Sequence, residues 1–433
     1  MKSDIREDRE RVVVTGMGCV SPLGLTVNST WRALQEGRSG GGPITRFDAT
    51  SFPTRIAAEV QGFEPTNAWP NARQFAAYGL NVHFGMAATH QAISESGVLD
   101  AGYAPERMGV YLGAGEGTPD FLSFAHSIAA ATQAGDFDMA EFMRHAASTL
   151  DPVTEAAQEP NVLSALIAAE YQLHGHNSNT LTACSAAAQA IGESVELIRR
   201  GYADAMISGG SHAMIHPFGM TGFCLLTAMT TRNDDPLTAS RPFDRDRDGF
   251  LLGEGAGIVV LETLAAARRR GAQIYGEILG YGSAADAYRV TDMHPEGRGA
   301  VQAMAGALND ARLNPDAIDY INAHGTSTPV NDKTESKAIE RVFAEHSRHV
   351  PVSSTKSMTG HLVAAGGGVE AIFCLSAMRD RIIPPTINHH TPDPACPLDC
   401  VPNSAREAPI RRVLSNSFGF GGQNVSLVFG SMD

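Results

Sequence analysis

Residues 177–201 have the sequence NSNTLTACSAAAQAIGESVELIRRG, and its character changes at Cys184. Thr180–Ala183 is typical of a short strand, whereas Ser185–Arg200 has the spacing of small and apolar residues that predicts a helix. Ser185 is a candidate N-cap, and Gly201 follows the two arginines that close the helix. The stretch therefore predicts a strand, a turn at Cys184 and a helix.

The same alternation of strand and helix continues along the chain. It begins near Val12, and a similar rhythm starts again at about Ile274. The expected strands are 12–15, 108–113, 180–183, 205–210, 255–261, 274–281, 318–323, 351–354 and 424–429, and the main expected helices are 76–97, 185–200, 299–311, 333–344 and 360–379. This order predicts an α/β fold with much parallel sheet, in which two similar halves pack as one body. We expect a charged tail over 1–10, an N-terminal half over 11–270 and a C-terminal half over 271–433.

The composition excludes several classes of protein. The chain has 433 residues and a net charge of −14, whereas a general nucleic-acid binder carries a basic stripe. The longest uncharged stretch, between Asp204 and Arg232, contains Gly, Pro and His and makes a poor bilayer helix. The N-terminus has no apolar signal core, and the six cysteines are scattered without a CxxC motif. We therefore expect a cytoplasmic protein with free thiols that binds neither nucleic acid nor membrane.

Cys184 is the first candidate for chemistry. A thiol at the start of a helix meets unpaired N–H groups and the positive end of the helix dipole, which both favour the thiolate. The same groups stabilise an oxyanion, and the small neighbouring residues leave room for an acyl group. The alternative is an inert buried cysteine, which is the commoner fate of a single Cys.

Two histidines and a lysine follow predicted strands in the second half. His324 lies in NAHGTSTP just after 318–323, where α/β sheets place ligands. His361 lies in SSTKSMTGHLVAAGG and is expected to open a helix, a position that favours a neutral ring. Lys356 follows a strand in an otherwise uncharged stretch. Taken singly, each has a structural alternative, namely a loop histidine, a core histidine and a surface lysine.

Two glycine-rich segments complete the set of candidates. The loop Ser415–Asn424, SNSFGFGGQN, brings backbone N–H groups near a ligand and leaves an aromatic ring free to swing, or else forms a tight turn. Gly113–Gly117, GAGEG, lacks the pattern of a phosphate loop, and Glu116 would repel phosphate. A cysteine, two histidines and a lysine together are suited to acyl-thioester chemistry.

With these residues in place, the chain resembles the β-ketoacyl-acyl carrier protein synthases, condensing enzymes of the thiolase superfamily. It is most similar to the elongating type II group, from Arg11 to the C-terminus. The motifs that carry the resemblance are VVVTGMGCVSPLG, TACSAAAQAIGES, RPFDRDRDGFLLGEGAG, NAHGTSTPVNDKTES, SSTKSMTGHLVAAGG and NSFGFGGQN. The resemblance implies a thiolase-like, layered α-β-α-β-α body and a homodimer.

The resemblance also implies a role for each candidate. Cys184 would be the acylated nucleophile, His324 and His361 would bind the malonyl carbonyl, and Lys356 would order the site electrostatically. Glu335 would support the same buried network. The remaining implied residues are Phe420, whose N–H forms the oxyanion hole with that of Cys184 and whose ring gates the acyl pocket, and Thr326 and Thr328, which bind the pantetheine arm. The implied reaction joins an acyl group to malonyl-acyl carrier protein with loss of CO2, and it needs no metal or organic cofactor beyond the phosphopantetheine of the carrier.

Three features depart from the pattern of such synthases. Glu116 occupies a position in a turn of the acyl pocket wall where a small or aliphatic residue is usual, and a carboxylate is costly against an alkyl chain. Pro70, Asn71 and Thr227 occupy positions where basic residues are expected to dock the carrier protein. The segment 118–160 also matches poorly.

These departures leave alternatives open. The first function is fatty acid chain elongation, and the second is a related ketosynthase of a specialised polyketide, polyene or unusual-lipid pathway. A non-catalytic partner subunit would be expected to lack the cysteine, and a thiolase would use a second cysteine as its base where this chain has two histidines.

Overall fold

A computed structural model describes residues 10–117 and 120–432. The expected charged tail 1–10 therefore lies, except for residue 10, outside the described residues. The described strands of the large sheet are β1 Val12–Val20, β2 Met108–Gly113, β3 Asn177–Thr180, β4 Ala205–His212, β5 Gly255–Thr263, β6 Gly276–Ala285, β7 Tyr320–Asn322, β8 Val352–Ser353, β9 Arg412–Gly419 and β10 Gln423–Gly430.

The described helices alternate with these strands. They are α1 Val27–Gln35, α2 Leu80–Ser96, α3 Phe121–Ala131, α4 Met139–Thr149, α5 Pro152–Ala156, α6 Val162–Tyr171, α7 Ala186–Arg199, α8 Pro217–Leu225, α9 Leu264–Arg269, α10 Arg298–Ala311, α11 Pro329–Phe343, α12 Lys356–Thr359 and α13 Gly366–Asp380. Within the described ranges, three short antiparallel strand pairs lie outside the large sheet, namely Gly42–Pro43 with Ile56–Ala57, Thr132–Gln133 with Asp136–Phe137, and Ile382–Ile383 with Arg406–Glu407.

The order of the strands reveals two copies of one topology. The first half has the order β3-β2-β4-β5-β1, and the second has the corresponding order β8-β7-β9-β10-β6. The directions also agree: β2 runs parallel to β3 and β4, and β7 runs parallel to β8 and β9, whereas the remaining pairs within each half are antiparallel. The halves meet where Val13 and Val14 of β1 pair with Glu277 and Gly276 of β6. The duplication that the element order predicted is therefore visible in the sheet, while the exact division at residue 270 stays a prediction.

Helices α7 and α13 lie between the two halves. Helix α7 packs on β2 and β4 and also touches β6 and β10, while α13 packs on β5 and β9. Helix α2 covers the outer face of the first half, and α10 covers that of the second. Residues 366–378 of α13 are all buried, which explains their nearly continuous apolar sequence. The result is a five-layer arrangement of helix, sheet, helix, sheet and helix.

Some expected element bounds were wrong. The helix expected over 360–379 begins only at Gly366. His361 instead forms a parallel β-bridge with Leu252, in which its N–H donates to Leu251 and its carbonyl accepts from Gly253. None of the helices in the described ranges combines the length and the apolar character that a membrane span requires.

The close approach of α7 and α13 gives a stability prediction. A Cβ on Gly367 would lie 2.6 Å from the amide nitrogen of Ala188 in α7. Gly367→Ala should therefore push the two helices apart and lower the free energy of unfolding by about 1–3 kcal/mol, as measured by chemical denaturation. Gly366→Ala is the matched control, because a Cβ at Gly366 has no atom within 4 Å. Equal stability of the two variants would contradict this packing argument.

Candidate active site

Cys184 lies in a single 3₁₀ turn, Ala183–Ser185, immediately before α7. Ala183 has a φ of 49°, in the left-handed region that residues other than glycine seldom adopt. The second half has a matching turn, Val363–Ala365, before α13, and Val363 has a φ of 44°. The two turns bring the amino ends of both central helices to one place, which the sequence alone could not show.

The structure brings Cys184, His324 and His361 together. The Sγ of Cys184 lies 2.9 Å from the Nε2 of His361. One side-chain donor atom from each of the three residues lies within 4.8 Å of the others, and all three side chains are buried. The two imidazole rings meet edge to face with their centroids 5.3 Å apart. Residues up to 177 positions apart in the chain thus share one site.

The position of the proton on His361 follows from its hydrogen bonds. The N–H of Val363 donates to Nδ1 of His361 at 3.3 Å. In a neutral ring the proton therefore sits on Nε2, the nitrogen that faces the Cys184 sulfur. Burial lowers the pKa of both His324 and His361 well below the usual value, and the charge of Lys356 lowers each further. Both rings are neutral near pH 7 and able to donate one hydrogen bond each.

Two backbone N–H groups face the Cys184 sulfur. Burial raises the pKa of the Cys184 thiol to about 11, while the Lys356 charge and the N–H groups of Phe420 and Cys184 itself act in the opposite direction. Phe420 follows β9, and the next residue, Gly421, has a φ of +80°, a conformation that favours glycine. The arrangement offers a thiolate, or an oxygen bonded next to it, a pair of donors.

Among the described residues, Lys356 forms a buried ion pair with Glu370 of α13, and it acts on Cys184, His324 and His361 through its charge. Burial raises the pKa of Glu370, and the ammonium of Lys356 opposes this rise. The sequence analysis missed Glu370. It is the one charged residue within the buried run 366–378, and an acidic residue inside such an apolar helix is itself a signal for a buried partner.

Glu335 of α11 holds the backbone on which His324 sits. Its two carboxylate oxygens accept the N–H groups of His324 and Gly325, each at 2.8 Å, and Asn416 donates to it at 3.1 Å. Burial raises the pKa of Glu335 to about 7. Glu335 therefore fixes the loop after β7, and Asn416 is a second residue that the sequence analysis missed.

A cavity of about 250 Å³ opens onto the cysteine and both histidines. Thr326 and Thr328 line it, and their hydroxyl oxygens lie 3.0 Å apart. Thr328 also caps α11 by accepting the N–H of Asn331. Phe420 and Thr227 lie on the wall as well. The cavity is thus polar on the α11 side and apolar at Phe418, Phe420 and Phe250.

Glu116 is not brought to this cavity. In a single copy of the chain it is exposed, and its charge lies near His216. Its role as a wall of the acyl pocket stays a prediction. Pro70 and Asn71 are exposed, and Asn71 is hydrogen-bonded to Glu170. Of the segment 118–160, the described part forms α3 to α5 and a short hairpin, while 118 and 119 lie outside the described residues.

The donor atoms of Cys184, His324 and His361 are close enough together to hold a metal ion. Thiolate and imidazole are ligands that zinc prefers. The nearby ammonium of Lys356, which lowers the pKa of all three groups, opposes a divalent cation at the same place. The expectation that no metal is needed stays a prediction.

Comparison with protein families connects this geometry to a known group. A family model described as "Beta-ketoacyl synthase, N-terminal domain" matches residues 9–267, and "Beta-ketoacyl synthase, C-terminal domain" matches residues 275–390. The chain belongs to the β-ketoacyl synthase family. It is accordingly a condensing enzyme of the acyltransferase type, and the family expected from the motifs is confirmed.

Relatives match this β-ketoacyl synthase over nearly its whole length. It is 44% identical over 422 residues to 3-oxoacyl-[acyl-carrier-protein] synthase 2 of Synechocystis sp., covering 98% of each chain. It is also 44% identical to the protein of the same name from Coxiella burnetii, covering 97% of this chain and 98% of the relative.

Solved structures confirm the thiolase-like fold class. The ishigamide ketosynthase/chain length factor has a TM-score of 0.87 at 35% identity, and a β-ketoacyl synthase from Burkholderia phymatum has a TM-score of 0.87 at 34% identity. Both comparisons cover 98% of this chain and 100% of the other. A type II polyketide ketosynthase in complex with its acyl-carrier protein is similar with a TM-score of 0.85 at 30% identity, over 98% of this chain and 100% of that one.

The ammonium of Lys356 gives a prediction for thiol reactivity. Lys356→Met removes a positive charge that stabilises the Cys184 thiolate, so the pKa of the thiol should rise. A rise of one unit lowers the rate of alkylation by iodoacetamide at a fixed pH by about tenfold. The Cys184→Ala variant measures the rate at which the other thiols are alkylated, and this rate is subtracted.

Because Lys356→Met leaves Glu370 buried without its partner, the double variant Lys356→Met/Glu370→Gln is measured beside it. An unchanged alkylation profile in both variants would mean that Lys356 does not act on the thiol through its charge.

Proposed function

We propose that this chain catalyses the decarboxylative condensation of an acyl group, held on Cys184, with malonyl-acyl carrier protein in fatty acid chain elongation. The product is a 3-oxoacyl-carrier protein that is two carbons longer. The observation that carries the proposal is the convergence of one thiol and two neutral imidazoles on the wall of a single cavity. The names of the curated relatives support the same reaction.

The first half-reaction loads the acyl group. The sulfur of Cys184 attacks the carbonyl carbon of an acyl thioester, and the carbonyl oxygen is stabilised by the N–H groups of Cys184 and Phe420. The bond to the carrier sulfur breaks, and the thiol proton of Cys184 ends on that leaving sulfur. The acyl group remains as a thioester on Cys184.

The second half-reaction forms the carbon–carbon bond. The malonyl group loses its carboxylate as CO2, and the electron pair of the broken bond forms an enolate. His324 and His361, both neutral, donate hydrogen bonds to the enolate oxygen. The enolate carbon attacks the acyl carbon, Cys184 leaves as thiolate, and a proton from solvent restores the thiol. The steps need no redox or metal chemistry, and the carrier's phosphopantetheine is the handle for both substrates.

The residues around the three reacting side chains take supporting roles in this proposal. Lys356 lowers the pKa of the thiol and both imidazoles, and Glu335 positions the His324 backbone. Thr326 and Thr328 present hydroxyl groups along the cavity, where the amides of a pantetheine arm would pass. Phe420 forms part of the wall where its ring gates the acyl chain.

A second candidate function is a ketosynthase of a specialised polyketide, polyene or unusual-lipid pathway. The sequence feature that favours it is Glu116, which the resemblance places in a turn of the acyl pocket wall where an apolar residue is usual, although Glu116 does not line the described cavity. Both functions share the chemistry at Cys184 and differ in the acyl chain that is accepted.

We further propose that the protein is a cytoplasmic homodimer. Within each chain, the boundary between the N-terminal and C-terminal halves lies near residue 270. All six cysteines are free thiols, as suits a reducing compartment. Large apolar side chains are exposed over α3 to α5 and around α8, including Phe137, Met139, Met143 and Leu225. Strand β3 lies at the edge of the large sheet, with β2 as its single partner among the described strands. A molar mass near twice 45.8 kDa by light scattering is expected.

Mass spectrometry of the purified protein tests the proposal directly. The protein is incubated with carriers that bear acyl chains of different length and polarity, and malonyl-carrier is then added. Saturated acyl chains on Cys184, followed by CO2 release and a 3-oxoacyl product, are expected for elongation. Loading confined to unsaturated or oxygenated chains would indicate the specialised pathway, and no loading of any chain would contradict both functions.

A further inference from the structure

A groove beside the active-site cavity is rich in positive charge. Its lining includes the cationic side chains of Arg245, Arg247, Arg289, Lys333 and Lys337, against the carboxylates of Asp292 and Asp393. Its positive side chains thus outnumber its negative ones by three, on a chain whose net charge is −14. Such a local reversal of sign attracts an anionic partner and leaves the rest of the surface to repel it.

Within the groove the free charge is concentrated on one helix and one loop. Arg247 is buried and bonded to Asp393 at 2.7 Å, and Arg289 is bonded to Asp292 at 3.1 Å. Lys333 and Lys337 form no salt bridge with any described residue, and they lie one turn apart on α11. The Arg245 side chain is 62% exposed, and its one ion pair with a described residue is to its neighbour Asp246, at 3.6 Å. Three cations are therefore available to a ligand.

The groove and the active-site cavity share a wall. Asp292, Met293, Pro329 and Val330 line both. Helix α11 begins at Pro329 on the rim of the cavity and carries Lys333 and Lys337 away from it along the groove. A substrate arm that ends at Cys184 would therefore enter the protein next to this cationic surface.

The surface on which the family resemblance would place the docked carrier protein has fewer positive side chains than this groove. The surface around Pro70 and Asn71 includes a single cationic side chain among its lining residues, Arg73. Asn71 is itself bonded to the carboxylate of Glu170. Thr227, on the cavity wall, adds no charge.

We propose that the groove formed by Arg245, Lys333 and Lys337 docks the acidic face of the acyl carrier protein while its arm occupies the cavity. This inference rests on the proposed function. The three cations are spread over a helix and a loop, as suits the extended surface of a protein, and exposed Val330 and Tyr288 supply apolar contacts beside them. The groove thus takes the part that basic residues at 70, 71 and 227 would otherwise play.

The test compares carrier-bound with carrier-free substrates. Lys333→Glu/Lys337→Glu should raise the KM for malonyl-carrier at least about tenfold with kcat changed little, because charge complementarity governs encounter. The loss in kcat/KM should be several-fold smaller with malonyl-pantetheine, which has no carrier to dock. The single variant Lys337→Glu should show the same split if the double variant folds poorly.

Arg73→Glu is the matched control, since it reverses an exposed cation on the other face. Its KM for malonyl-carrier should stay near that of the unchanged protein. The KM of the unchanged protein should also rise with KCl, and this rise should be weaker in the double variant. Equal losses with both substrates, or a larger loss in Arg73→Glu, would overturn the groove as the docking surface.

Two further measurements distinguish docking of the carrier protein from a simple phosphate site and from a failure of the proposed reaction. Inhibition by inorganic phosphate beyond that by KCl at equal ionic strength would indicate a simple phosphate site and overturn protein docking. Fluorescence anisotropy of labelled holo-carrier measures binding without turnover. If carrier binding depends on Lys333 and Lys337 but the protein releases no CO2, the groove is supported and the proposed reaction is contradicted. If the protein turns over its substrates but the double variant binds the carrier as well as the unchanged protein does, the reaction is supported and the groove is overturned.

Discussion

Cys184→Ala should abolish condensation while leaving some decarboxylation of malonyl-carrier. The variant lacks the only thiol that faces both histidines in the described structure, so no acyl thioester can form at the site. Loss of a nucleophile lowers the rate of such reactions by on the order of 10⁴-fold or more. The two imidazoles keep their backbone supports, so the enolate can still be stabilised. Mass spectrometry after incubation with acyl-carrier, and CO2 release from malonyl-carrier, measure the two activities separately.

The other cysteines provide the control for this experiment. Cys374 is also fully buried, in α13, and burial raises its pKa as it does that of Cys184, but no described imidazole is bonded to Cys374. Cys374→Ala should leave acylation in place. Acyl groups that still load covalently onto Cys184→Ala would show that the nucleophile has been assigned wrongly.

The fold could be predicted from the sequence because its apolar residues form clear runs in the strands and recur at helical spacing in the helices. Strands such as β5, GAGIVVLET, are buried over nearly their whole length and give continuous apolar runs. The repeat of one topology was predicted from element order alone, since the halves share no obvious residue pattern. It is the sheet order, and the matching turns at Ala183 and Val363, that make the duplication explicit.

The candidate residues were predicted, but their geometry was not. Their distances depend on packing between α7 and α13, and the sequence does not encode that packing locally. The same holds for Glu370, since only the folded chain brings it within ion-pair distance of Lys356. His361 was expected at a helix start, whereas a bridge to Leu252 holds it before the helix. Its neutral state therefore follows from burial and Lys356 rather than from a helix terminus.

The surface proposed for carrier docking could not be predicted from the sequence. The family resemblance showed that basic residues are missing at positions 70, 71 and 227, but it could not identify the residues that replace them. Lys333 and Arg245 are 88 positions apart in the chain. Only the folded arrangement places them in one groove beside the cavity.

His361→Ala should block the release of CO2 from malonyl-carrier while Cys184 can still be acylated. The ring is neutral because burial and the Lys356 charge lower its pKa, and Val363 places its proton on Nε2, toward the reacting atoms. Removing one such donor from an oxyanion site lowers the rate by about 10²- to 10³-fold. In the proposed mechanism, acylation uses the N–H groups of Cys184 and Phe420 instead, so the end point of acyl loading should be kept even if loading is slower.

A conservative variant tests whether the His361 ring acts as a hydrogen-bond donor or only fills space. His361→Gln keeps an N–H group on a side chain of comparable reach, and it should recover part of the CO2 release that His361→Ala loses. Since the ring does not gain a proton near neutral pH, His361 itself should contribute no change in the rate of CO2 release between about pH 6 and 8. A change in that rate near pH 7 is instead expected from Glu335, whose pKa is about 7 and whose carboxylate holds the His324 backbone. Normal CO2 release by His361→Ala would contradict the role proposed for the ring and would leave His324 as the single donor to the enolate.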